Sequence, residues 1–147
     1  MPVRDGAFPV FWGDRRVGWI AARDIAAVAA AVLREGPEKH GGQDYWLSAE
    51  VAGGLEIAEM LTEVLGRPIR CEIKGPDEFQ ATMAATGDYS VEPWYAAGTL
   101  EFLRQVLDGR MGYIGTVRDD GPFVVGRPST TLRQWVEGNR ERLVKSG

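Results

Sequence analysis

Apolar positions along the chain follow two rhythms, and the switches between them mark the elements. Phe8, Val10 and Trp12 alternate with their neighbours, which predicts a short strand. The more continuously apolar residues 17–20 predict a second strand, after a turn at Gly13-Asp14. Asp24 then stands where a helix N-cap belongs, ahead of a run to about Glu35 whose residues 25–33 have almost no polar side. A helix apolar all round expects cover on more than one face. Gly36-Pro37 ends it, and residues 43–48, with Tyr45, Trp46 and Leu47, read as the next strand. Strand, helix and strand of these lengths predict a βαβ unit, with parallel strands and a right-handed crossover.

The period then lengthens again. Leu55, Ala58, Leu61 and Leu65 form a helical stripe with Ile57 and Val64 beside it. Gly66 suits the residue just past the helix end, and Pro68 prevents continuation. A further strand is expected over 69–74. The remainder reads as mainly helical. Pro76 is placed for a first helical residue, with Asp77 and Glu78 in the favourable first turn. Phe79 and Met83 carry that helix inward, and Gly87 should stop it. A longer helix over about 92–108 presents Tyr95, Phe102, Leu103 and Val106. Thr130 can cap a last one bearing Leu132, Trp135, Val136 and Leu143. The expected class is α/β in one domain, 1–147, with strands and a crossover helix in 1–50 and a mostly helical region in 51–147.

Composition narrows the function. Hydrophobic residues at 44% and charged residues at 26% fit an ordinary globular protein. A formal charge of −4 and a pI near 5.1 argue against general nucleic-acid binding, which needs a basic face to displace counterions. Arg15-Arg16 and the C-terminal Arg133, Arg140, Arg142 and Lys145 read as solvated charges. No segment reaches the roughly 18 apolar residues of a membrane span, and the first residues have no apolar signal-like core. The expectation is a cytoplasmic protein with neither nucleic-acid nor membrane partner.

Candidate chemistry is sparse. Cys71 is the one cysteine, in an alternating run, and reads as a buried, inert thiol. His40 is the one histidine, in a turn-like Glu38-Lys39-His40-Gly41-Gly42, and reads as an exposed loop residue with no catalytic partners. No metal site is expected. Residues 109–115 match G-x-x-G-x-x-G, but dinucleotide loops of that kind need a strand before and a helix after. Here a helix precedes and a loop follows, so no cofactor is expected to be held by this chain alone. Asp119-Asp120, Glu72 and Asp77-Glu78 could line a cleft, with solvation or capping as the default account. The aromatics Trp12, Trp19, Trp46, Trp94 and Tyr95 suggest a pocket against a background of core packing.

Several segments, read in order, resemble the C-terminal half of NmrA-like proteins, the atypical short-chain dehydrogenase/reductase relatives. Trp19-Ile20-Ala21-Ala22-Arg23-Asp24-Ile25-Ala26 is similar to that family's W-I-D-x-R-D-I-A segment, and Tyr45-Trp46-Leu47-Ser48 to its following strand. Glu56-Ile57-Ala58, then Leu65-Gly66-Arg67-Pro68-Ile69, resembles its E-I-A…L-G-R-P-V helix and strand. Pro76-Asp77-Glu78-Phe79 resembles a helix start, and Val117-Arg118-Asp119-Asp120 with Gly126-Arg127-Pro128-Ser129-Thr130-Thr131-Leu132 the closing run. Ala21 replaces the family's usual Asp, and Ser48-Ala49-Glu50 replaces its T-G-P-E turn.

The resemblance implies a late βαβ part of a Rossmann-like sheet plus a helical substrate-binding lobe, lacking the N-terminal half that holds NAD(P) in the intact family. No catalytic residue carries over. Residues that could line a small-molecule substrate cleft are Trp12, Phe79, Met83, Trp94 and Tyr95. Missing strands would leave the 17–20 strand and the alanine-rich helix uncovered, which predicts a homo-oligomer or a companion chain across the exposed sheet edge. Three functions follow: the substrate-binding portion of an NAD(P)-dependent oxidoreductase, a non-catalytic ligand-binding or redox-regulatory module, or a cofactor-independent isomerase or cyclase acting on an apolar metabolite.

Overall fold

In the computed structural model, which describes residues 5–85 and 92–145, the first two strands do not pair with each other. β1 (Ala7–Val10) runs parallel to β4 (Arg70–Ile73), with Ala7 opposite Arg70 and Val10 opposite Ile73. β2 (Val17–Trp19) is antiparallel to β3 (Glu50–Ala52), with Val17 opposite Ala52 and Trp19 opposite Glu50. The α/β class stands. The expected strand over 43–48 and its parallel pairing with β2 do not. A strand must give its N–H and C=O groups to a neighbour, and the Trp46 N–H donates instead to the Asp120 carboxylate at 2.7 Å. The ladder begins only at Glu50, on a chain already running back along β2.

Helix α1 (Ala22–Glu35) starts ahead of Asp24, whose side chain turns inward rather than capping. One face is covered: Val28 and Ala31 pack with Val124 of α6 (Asp120–Val125), flanked by Val32, Tyr45, Leu47 and Val125. Ile25 is 43% and Leu33 84% exposed on its other faces, so cover on several faces is not supplied among the described residues. A short turn, α2 (Pro37–His40), follows.

Helix α3 (Gly54–Leu65) follows its sequence signals closely. The Glu56 carboxylate accepts the Gly53 N–H at 2.7 Å at its start, and Gly66 closes it in the left-handed region at φ 71°. Ile57, Ala58, Leu61 and Leu65 are buried, whereas Leu55 faces solvent. The position that would hold a larger residue against the sheet is Gly54. A Cβ there would lie 2.7 Å from Cys71 Sγ and 2.9 Å from Val10 Cγ1, so the glycine lets α3 settle onto the β1–β4 pair. The resulting core joins Phe8, Val10, Ile57, Leu61, Leu65 and Ile69 to Val136 of α7 (Leu132–Gly138) and Leu143 of α8 (Arg140–Lys145). Each such side chain contributes about 1.5–3 kcal/mol by leaving water.

A 3-10 turn at Pro76–Glu78 leads into α4 (Phe79–Ala85). Its expected stop at Gly87 lies outside the described residues. α5 (Pro93–Leu107) buries Ala96, Leu103 and Val106. The expected last helix is two, broken at Asn139, and Thr131 rather than Thr130 caps the first, accepting the Gln134 N–H at 3.1 Å. Among the described residues no helix is long and apolar enough to cross a membrane.

Candidate functional site

The β2–β3 register sets Trp19 across from Glu50, and the chain leaves β2 through Ile20 and Ala21 into α1. The start of α7 closes over this corner with Thr130, Thr131, Leu132 and Trp135. Together these residues enclose an apolar cavity of about 200 Å³. Trp19 is held by its indole N–H, which donates to the Ala52 carbonyl at 3.2 Å, and by Trp12, packed edge-on at 5.7 Å. Glu50 is the one charged residue of the lining, and Glu50 Oε1 accepts the Leu132 N–H at the first turn of α7.

A buried carboxylate clamps the wall behind. Asp24 accepts the Thr130 N–H at 2.7 Å and an Arg127 Nη2 proton at 2.8 Å. Thr130 Oγ1 in turn accepts from Arg23 Nε at 2.9 Å and Nη2 at 2.7 Å. Burial alone pushes the Asp24 carboxyl up. The hydrogen bonds from Thr130 and the Arg127 guanidinium together outweigh it, so the net displacement is below the usual carboxylate value. The clamp ties residues 127–130 to the first turn of α1, and so positions Thr130 and Thr131 at the cavity.

No family model matches the chain. It is 30% identical over 135 residues, 91% of its length, to an NAD(P)H azoreductase of Xenophilus azovorans. It is 31% identical over 132 residues, 88% of its length, to a (4-alkanoyl-5-oxo-2,5-dihydrofuran-3-yl)methyl phosphate reductase of Streptomyces griseus subsp. griseus. The crystal structure of the Citrobacter sp. triphenylmethane reductase complexed with NADP(H) matches over 99% of this chain, at 22% identity and a TM-score of 0.67. These matches bear out the resemblance to the C-terminal half of NmrA-like NAD(P)-binding proteins. The chain spans less than half the length of these relatives: 44%, 43% and 46% in turn.

The five candidate cleft residues, Trp12, Phe79, Met83, Trp94 and Tyr95, do not meet around one cavity. Trp12 backs the pocket through Trp19. Phe79 packs edge-on against Phe11 at 5.2 Å, and Met83 is half-buried on α4. Trp94 and Tyr95 pair edge-on at 5.8 Å at the first turn of α5, with Trp94 74% exposed. Glu50, Leu132 and Trp135 line the pocket without a local sequence signal that marks them for it. The Trp19–Glu50 juxtaposition would have followed from the antiparallel register, which strand patterning alone does not disclose.

The glycines of residues 109–115 have structural duties. They follow α5, Gly109 turns the chain at φ 88°, and Gly112–Gly115 forms a 3-10 turn on β2. A Cβ at Gly115 would sit 3.1 Å from the Arg16 carbonyl oxygen. This segment does not fit a pyrophosphate, because no strand leads into it and no helix opens at its amides.

His40 corrects the sequence reading: it is buried, not an exposed loop residue. Its Nε2 lies 3.1 Å from the Glu35 carboxylate and its Nδ1 2.6 Å from the Tyr45 hydroxyl, a pairing made when Gly36 and α2 fold the chain back. Lys39 and then His40 hold the Glu35 carboxyl down to about 2. The candidate cleft carboxylates are engaged separately. Asp120 serves Trp46 and pairs with Arg118 at 3.2 Å, Asp77 pairs with Arg104 at 2.7 Å, and Glu72 stands 3.5 Å from Arg70. Among the described residues no group of three or more His, Cys, Asp or Glu could hold a metal ion.

Proposed function

We propose that this chain is the substrate-binding portion of an NmrA-like NAD(P)-dependent oxidoreductase, acts in the cytoplasm, and does not hold the dinucleotide by itself. The observation that carries the reading is the cavity between Trp19 and Trp135, in a chain related to NAD(P)H-dependent reductases. Names such as azoreductase and triphenylmethane reductase point to conjugated organic acceptors. Indole walls suit such flat molecules. At about 200 Å³ the cavity is smaller than most ligand sites, so it takes one ring of an acceptor rather than the whole of it. Trp12 belongs to this site as the backing of Trp19. Phe79, Met83, Trp94 and Tyr95 are proposed as the more distant contacts of a larger substrate.

The uncovered face of α1 fits the same reading. Ile25 and Leu33 point away from the core, and more than half of each relative lies outside the matched length. The proposed cover is a chain carrying a dinucleotide-binding body or, without one, a second copy of this chain. The test is a pair of titrations of the purified protein. A flat quinone should quench tryptophan emission saturably and lose that effect in Trp135→Ala. NADPH should show no saturable micromolar binding by nicotinamide fluorescence. Tight NADPH binding to the lone chain would overturn the division of labour, and quinone quenching unaffected by Trp135→Ala would overturn the pocket.

A further inference from the structure

We propose that the Trp19–Trp135 pocket selects ligands that carry a positive charge, with Glu50 as their counter-ion. The inference rests on the reading of this cavity as the substrate site, and it adds the class of ligand.

Three features of the lining converge on it. Among the described residues Glu50 is the one charged side chain that lines the cavity, with neither Lys nor Arg in its wall. Two indoles, Trp19 and Trp135, line the cavity, and an indole ring attracts a cation through its quadrupole. The rest of the lining, Ile20, Ala21, Ala22 and Leu132 with the two threonines, offers no counter-charge. A carboxylate beside apolar surface is costly unless something pairs with it.

The nearby cations are otherwise occupied. Arg127 is paired with Asp24, and Arg23 bonds Thr130 Oγ1 without joining the lining. Arg16 pairs with Glu56 at 3.0 Å. Glu50 does have a structural task, since one of its oxygens takes the Leu132 N–H at the start of α7. That bond engages Oε1 and leaves Oε2 for a ligand. If capping were the whole role of Glu50, replacing its carboxylate by an amide would not change the pocket's preference for a cation. The formal charge of −4 adds a modest long-range bias in the same direction.

The experiment compares phenyltrimethylammonium with its neutral isostere tert-butylbenzene, by calorimetry and tryptophan emission, on the whole chain. The cation should bind roughly tenfold tighter or more, and its affinity should fall with added salt while that of the isostere does not. Glu50→Gln should weaken binding of the cation several-fold more than binding of the isostere, so that the preference falls sharply. The salt series on the unaltered protein carries the same test should Glu50→Gln fail to fold. Equal binding of the two probes overturns the charge selection, and a preference that survives undiminished in folded Glu50→Gln overturns Glu50 as the counter-ion; either leaves the aromatic pocket standing. Failure of both probes to bind, with no change in emission, overturns the pocket itself and the selection with it.

Discussion

Asp24 shows how far a single side chain can differ from its sequence role. Its position announces a helix cap, yet the carboxylate is buried and joins α1 to Thr130 and Arg127. Asp24→Asn keeps the shape but removes the charge that both partners address. It should lower the unfolding free energy by about 1–3 kcal/mol, read from urea denaturation at neutral pH. Arg127→Ala should cost less, because that guanidinium is half exposed. Glu35 is the second residue with a consequence. Its folded pKa, about 2, lies below the ordinary 4.5, so its contribution is present above about pH 4.5 and fades as pH falls towards 2. Glu35→Gln should flatten the decline in denaturation midpoint over that window. An unchanged slope would show that the Glu35–Lys39–His40 cluster contributes nothing to acid stability. The burial of His40 is not legible locally, because its partners lie five residues away on either side, across a turn that local patterning does not describe. Cys71 is half-buried, and burial, then the neighbouring Glu72, raises its thiol pKa, in keeping with an unreactive thiol.

Among the elements, α3 was the most legible, since its glycine boundary, stripe and following proline all act within one stretch of chain. Gly54 was invisible to that reading, because its reason lies on two strands distant in sequence. Gly54→Ala should push α3 off Val10 and Cys71 and cost about 1–3 kcal/mol, seen as a lower denaturation midpoint with unchanged slope. Unaltered stability would mean that the helix has slack against the sheet. Residues 43–48 mark the opposite limit. Tyr45, Trp46 and Leu47 suit a strand, but a strand also requires a neighbour, and here the backbone bonds Asp120. The antiparallel β2–β3 pairing that creates the pocket was likewise a matter of where the chain returns, not of its local preferences.

For the whole molecule, the sequence expectation placed the uncovered surface on the 17–20 strand and the alanine-rich helix. One edge of the strand is occupied, since β3 pairs with it, and residues 112–115 fold over Gly18, beside the Ile114 carbonyl. Its other edge has no strand partner among the described residues, and the helix is uncovered, with Leu33 84% exposed. Exposed side chains of this kind favour association. Sedimentation at tens of micromolar should therefore give a mass above 16.1 kDa, and Leu33→Glu should shift it towards the monomer. A clean monomer before the substitution would remove the case for a covering partner.

What the sequence determined alone is whatever adjacent residues decide among themselves: the helices with their glycine stops, the α/β class, the inverted setting of the 109–115 glycines, and a family likeness spread over many short segments. The tertiary structure decided which strands pair and in which direction, the burial of Asp24 and His40, and the meeting of Trp19, Glu50 and Trp135 around one cavity. The division has a physical origin. Caps, turns and stripes are satisfied within a few residues, whereas a ladder partner, a salt-bridge partner or a pocket wall is supplied by chain that arrives from far away in sequence.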